Sequence, residues 1–161
     1  LTVNAWQHWA FVYDGSQADN GTRVVGYLNG IVRAMSFVGT VPSTLPSPGA
    51  SNVQTGFGQG DNAYIDANIA HVKLWTAVLA DPAIRQEMNS HRPVRRSNLV
   101  LWAPYDDGRG ARDYSGSGNH GTVTGALTTG GPPQIPRPER FIAQKHRHGG
   151  LGLWGHRVLV K

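Results

Sequence analysis

Apolar residues along the chain come in short runs broken by clusters of glycine, proline, asparagine and aspartate. Such runs predict short strands joined by tight turns. Trp6 to Asp14 is apolar on both alternating faces, the pattern of a sandwich strand with a core face and a covered outer face. Asp14-Gly15 then opens a loop. Arg23 to Leu28 reads as a second strand, Asn29-Gly30 as a two-residue hairpin turn whose positions both need positive φ, and Ile31 to Val38 as the returning strand. Pro42 to Ser51 holds three prolines, which cannot donate ladder hydrogen bonds, and is expected to be an exposed loop.

Asn52 to Phe57 makes a further short strand before the glycine turn Gly58 to Gly60, and Ile65 to Leu79 supplies another apolar stretch. Asp81-Pro82 is a helix start, with a carboxylate to cap free amides and a proline where a missing N–H costs nothing. That helix runs through Ile84, Glu87 and Met88 and stops near Ser90, because Pro93 disfavours helical geometry at Arg92. Strand character resumes from Asn98 to Pro104, gives way to turns from Asp106 to Gly121, and returns briefly from Thr122 to Leu127. Pro132, Pro133, Pro136 and Pro138 make the next segment stiff and extended. The expected organisation is a β-sandwich over residues 1–131, a proline-rich linker over 132–139 and a basic arm over 140–161.

Composition supports an all-β reading: 16% of the 161 residues are charged, while 21 are Gly and 10 are Pro. One domain of this length buries a core of its own without the disulfides that an absence of Cys rules out. No apolar run approaches the length of a membrane span. Leu1 begins in strand-like sequence, so the chain is expected to be a fragment or a processed product. The net charge of +5 is confined to one end. Residues 1–136 balance nine Lys and Arg with nine Asp and Glu, whereas 137–161 carry Arg137, Arg140, Lys145, Arg147, Arg157 and Lys161 against Glu139 alone.

Three segments resemble the laminin-G-like (concanavalin-A-like) jelly-roll family. Trp6-Gln7-His8-Trp9-Ala10 with Tyr27-Leu28-Asn29-Gly30 is similar to the family's "W-x-H-hydrophobic-A" strand and "YVNG" hairpin. Val72 to Leu79 is similar to its "VRIYNRAL" strand running into a short helix. Leu99-Val100-Leu101-Trp102, with Asp113-Tyr114-Ser115-Gly116-Ser117-Gly118-Asn119-His120-Gly121, resembles "LVLHLPFD…DxSGNGNHGT". The resemblance implies an antiparallel jelly-roll sandwich, here with one short helix and an extended C-terminal arm. In most members the third segment opens the domain, so its place here implies a permuted topology that lacks the early strands, in a style that resembles phage and environmental viral proteins. A virion or extracellular location follows from that likeness.

The same resemblance implies calcium at a sandwich rim, for which Asp113, Asn119 and Asp66 are the candidate ligands, oxygen donors that suit a hard cation. Ala70 stands where many members have an acidic residue, and Asp113 equally fits a local Asx-turn. No other cofactor is implied. Glycosidase chemistry needs two carboxyl groups flanking the scissile bond. The only glutamates are Glu87 and Glu139, and no strand carries alternating acids. The serines lack a nucleophile-elbow context.

Catalysis is therefore not expected. His8 is expected to be a hydrogen-bonded core residue and His120 part of the turn. Trp6, Trp9, Trp75 and Trp102 lie in predicted strands and are assigned to the core. Tyr64 and Tyr114, beside glycine-rich loops, are the candidate ligand rim.

The arm mixes charge with apolar residues: Arg140, Phe141, Ile142, Lys145, Arg147, Trp154 and Arg157 are the candidate contacts to neighbouring protein subunits. A purely solvated tail would need no such anchors. Nucleic acid is the rival partner for that charge. The leading expectation is a non-catalytic structural or adhesive module of a virion or extracellular assembly. The alternatives are a carbohydrate-binding module that calcium could assist, and a glycosidase fragment.

Overall fold

The structure, a computed structural model, describes residues 5–45, 53–58, 63–105 and 109–125, with the side chains of 57, 58, 63 and 64 left out of that description. Strands β1 (Trp9–Tyr13), β2 (Val24–Leu28) and β3 (Ile31–Arg33) form an antiparallel sheet in that order. Strands β4 (Phe57–Gly58) and β5 (Ala63–Tyr64) form a second sheet, and β6 (Val72–Trp75) pairs with β7 (Leu99–Ala103) in a third. Helices α1 (Asn20–Arg23) and α2 (Asp81–Met88) complete the elements. The described part is mostly β and antiparallel, as expected of the fold class, but it does not close into a sandwich. It also holds two short helices rather than one.

The first sheet is built by local chemistry. Asp14 ends β1 by accepting from the Ser16 amide and hydroxyl and from the Gln17 amide group. Asp19 then caps α1, accepting from the Thr22 amide at 2.9 Å. This helical turn falls in a polar stretch where no element was expected. Asn29 (φ 52°) and Gly30 (φ 73°) make the expected hairpin turn, and the Asn29 side chain ties it back by accepting from the His8 amide at 2.9 Å.

Strand β3 stops at Arg33, short of the expected Val38, because α1 draws the chain away. Asn20 donates to the Gly39 carbonyl and accepts from the Val41 amide, both at 2.8 Å. The buried Arg23 guanidinium donates to the Gln17, Ala18 and Val41 carbonyls.

Elsewhere the strands are also shorter than the apolar runs. Pairing in the Ile65 to Leu79 stretch begins only at Val72, just after His71 takes a left-handed turn (φ 57°). The expected strand from Asn52 narrows to β4, and residues 122–125 of the last expected strand are irregular. Pro82 lies in the first turn of α2 as expected, but the residue before the helix is Ala80 and no side chain caps it.

Asp81 is used differently. Its carboxylate accepts from the Tyr27 hydroxyl at 2.6 Å, which ties α2 to the inner face of the sheet. There Tyr27, Leu79 and Ile84 form the buried cluster, with Ala10, Val12, Val25, Trp75 and Ala83 packed against it.

Burial, and then the hydrogen bond to Asp81 and its charge, push the Tyr27 phenol up to about 12, against a smaller opposing effect of Arg85. Folding thus favours the neutral phenol. This contribution to stability is complete below the unfolded value of 10.0 and is lost as pH rises through about 12. Denaturant midpoints should accordingly fall between about pH 10 and pH 12 more steeply in the native sequence than in Tyr27→Phe, where the ionising group is gone.

Candidate functional site

Two surfaces concentrate chemistry. The first is the outer face of the β1–β2–β3 sheet. Alternation along β1 sends Ala10 and Val12 to the core and Trp9 and Phe11 outward. Register places Leu28 and Ile31 beside Trp9, and Gly26 and Arg33 beside Phe11.

Trp9 is 46% and Phe11 63% exposed, and their rings lie 6.1 Å apart with planes 12° from parallel. Gly26 leaves room on this face for Met35, since a Cβ there would stand 2.8 Å from Met35 Sδ, while Phe11 Cε1 would be at an ordinary contact of 3.6 Å. Assignment of Trp6 and Trp9 to the core is therefore corrected: both are exposed, while Trp75 and Trp102 are half-buried. A strand apolar on both faces needs a second cover or a ligand, but its pattern does not say which face lacks one.

The second surface is the turn after β7, organised by Asp113. This buried carboxylate accepts at Oδ1 from the Trp102 amide (2.9 Å) and the Ser115 amide (2.8 Å). At Oδ2 it accepts from the Ser115 hydroxyl (2.8 Å) and the Asn119 amide (2.9 Å). Burial alone would raise its pKa, but these four bonds outweigh it and hold the carboxyl below its usual range. The Asp113 amide in turn donates to His120 Nδ1 at 3.1 Å, and the Asn119 side chain donates to the Val100 carbonyl at 2.7 Å.

Asp113 and Asn119 are thus brought together, and four donors fill the acceptor capacity of the Asp113 carboxylate. Asp66 is exposed, and among the described residues no hydrogen bond joins it to that turn. Among the described residues no group of three His, Cys, Asp or Glu side chains is placed to hold a metal ion.

Of the expected ligand rim, Tyr64 has its backbone in β5, while its side chain lies outside the described part. Tyr114 is half-buried between Trp102, whose ring centroid is 5.8 Å away, and the Arg112 guanidinium, 5.5 Å from its own ring centre. Beside it, Arg109, Arg112, His120 and Gly121 line an open cavity of about 330 Å³. The arginines were not singled out from sequence. The arm contacts Arg140, Phe141, Ile142, Lys145, Arg147, Trp154 and Arg157 lie outside the described residues.

His8 departs from its expected role. It is half-buried, yet its Nδ1 makes no hydrogen bond among the described residues. Burial and the nearby Lys73 charge lower its pKa, against the pull of Glu87. Glu87 itself is buried. Its Oε2 pairs with Lys73 Nζ at 2.8 Å, and its Oε1 accepts from the Val94 and Arg95 amides, each at 2.8 Å. Both carboxylate oxygens are committed to structure.

A family model described as the concanavalin A-like lectin/glucanases superfamily matches residues 1–85, more than half of the chain. The chain belongs to this superfamily. The match covers the first sheet, β4 to β6 and part of α2, so the Trp9–Phe11 face is superfamily territory and the Asp113 to Gly121 turn lies beyond the matched segment. Comparison with curated proteins and with solved structures finds no match. Among the described residues no helix is long and apolar enough to cross a membrane.

Proposed function

We propose that the chain is a non-catalytic carbohydrate-binding module that receives glycans on the outer face of its first sheet. The observation that carries this is the pair of exposed, nearly parallel rings of Trp9 and Phe11 on the outer face of the first sheet. Flat apolar ring faces suit the C–H faces of sugar rings, and the indole N–H adds a polar handle. Membership of a superfamily described by lectins and glucanases supports a glycan as ligand. The commitment of both Glu87 oxygens to Lys73 and the Val94 and Arg95 amides supports binding without hydrolysis.

Adhesion to a glycosylated surface is the role this chemistry serves. The wider reading, a virion or extracellular assembly joined through residues 140–161, rests on residues outside the described part and is secondary to it. Pairing of β6 with β7 makes antiparallel neighbours of the second and third family-like segments. It supports the reading that strands adjacent in space have exchanged their order along the chain.

An array of immobilised glycans should retain the native chain on a subset of sugars. Trp9→Ala/Phe11→Ala should reduce that retention at least about tenfold, because both stacking faces are removed. Retention unchanged in the double variant would sink the reading.

A further inference from the structure

The cavity beside the Asp113 turn is lined by Arg109, Arg112, His120 and Gly121, so among the described residues none of its lining side chains is acidic. Asp113, next to Arg112 in the chain, is buried and accepts four hydrogen bonds from Trp102, Ser115 and Asn119.

Two of the lining side chains are also held in place. Arg112 sits over the Tyr114 ring at 5.5 Å, which orients its guanidinium while leaving the planar fork of N–H donors for another partner. His120 Nδ1 accepts from the Asp113 amide, and a backbone N–H can only donate. With Nδ1 an acceptor, Nε2 is the nitrogen left to donate, a second donor beside the guanidinium. A volume of about 330 Å³ falls at the lower end of ligand-sized sites, which run from about 300 Å³ upward.

From this arrangement we infer that the Arg109–Arg112–His120 cavity is a second subsite, which binds the anionic group of an acidic glycan, carboxylate or sulfate. Guanidinium matches an oxyanion with two parallel hydrogen bonds, and the imidazole N–H supplies a third. The assignment of a sugar rather than another anion rests on the carbohydrate-binding reading. The cavity lies beyond the segment matched by the superfamily model.

The test is a titration of the full chain, isotope-labelled, followed by nuclear magnetic resonance. The probes are a sulfated disaccharide, a uronic-acid disaccharide and their neutral counterpart. The His120 imidazole and Gly121 amide signals should shift saturably with at least one anionic probe and not with the neutral one. Which of the two acts identifies the group. Arg112→Gln should weaken that binding at least about tenfold, and Arg112→Lys, which keeps charge but loses the fork, by less.

Shifts confined to other residues would overturn the inference, as would equal affinity in Arg112→Gln or equal response to the neutral probe. A short DNA duplex that shifts the same signals at equal or lower concentration would overturn the glycan assignment. Signals of Trp9 and Phe11 report separately on the sheet face, so failure of one site is distinguishable from failure of the other.

Discussion

Glu87→Ala should destabilise the fold by about 3–5 kcal/mol, the range found when one partner of a buried ion pair is removed. Lys73 and Glu87 are both buried, and the ammonium donates to Glu87 Oε2 at 2.8 Å, to the Glu87 carbonyl at 3.2 Å and to the Ser90 carbonyl at 2.6 Å. Burial lowers the Lys73 pKa, while the hydrogen bond and charge of Glu87 resist it. Without the carboxylate that resistance is gone, and the Val94 and Arg95 amides lose their acceptor as well.

A second variant separates these effects. Glu87→Gln keeps an oxygen for the two amides but removes the charge and sets an amide NH2 in place of the oxygen that accepts from Lys73, so it should cost less than Glu87→Ala. Lys73→Met/Glu87→Gln should then recover stability, because the unpaired ammonium is also gone. Thermal unfolding of the four chains checks the ordering. An unchanged midpoint in Glu87→Ala would show that the pair does not anchor α2 to β6.

The second large effect is expected at Asp113. Asp113→Ala leaves the Trp102, Ser115 and Asn119 amides without their acceptor, and each buried donor so stranded costs about 1–3 kcal/mol. A total loss of about 3 kcal/mol is expected, allowing the more exposed of the three to find water.

The pH dependence identifies the cause. Asp113 has its pKa depressed in the fold, so its contribution is present above the unfolded value of 3.8 and lost as pH falls through the lower folded value. Urea midpoints of native and Asp113→Ala chains should therefore differ widely near neutral pH and converge in acid. A gap that stays constant into acid would mean that the carboxylate charge is not what the turn needs.

The range of the forces involved decides which features were legible in the sequence. The Asn29-Gly30 hairpin, the Pro82 helix and the Leu99 strand could be read because each depends on neighbours in the chain. The early end of β3 could not, since it depends on Asn20 and Arg23 seizing residues eighteen to twenty-one positions away.

Asp81 looked like a cap from local pattern alone, and a tertiary partner, Tyr27, claimed its carboxylate instead. At the candidate sites the Asp113 turn was visible as a motif, while the exposure of Trp9 and Phe11 was not. Aromatic residues in strands are usually core, and pattern alone does not tell which of two apolar faces lacks a cover. Arg112 carries no signal in the sequence because its significance lies in the Tyr114 ring beneath it and the His120 beside it.

Whether glycans bind on the outer face of the first sheet comes down to one comparison. A glycan retained on the array is titrated calorimetrically into the native chain and into Trp9→Ala/Phe11→Ala, with unfolding midpoints measured for both. Saturable heat is expected from the native chain and none from the variant at the same concentrations, with closely similar midpoints because both side chains point away from the core. Equal heats in the two chains would contradict binding at this face.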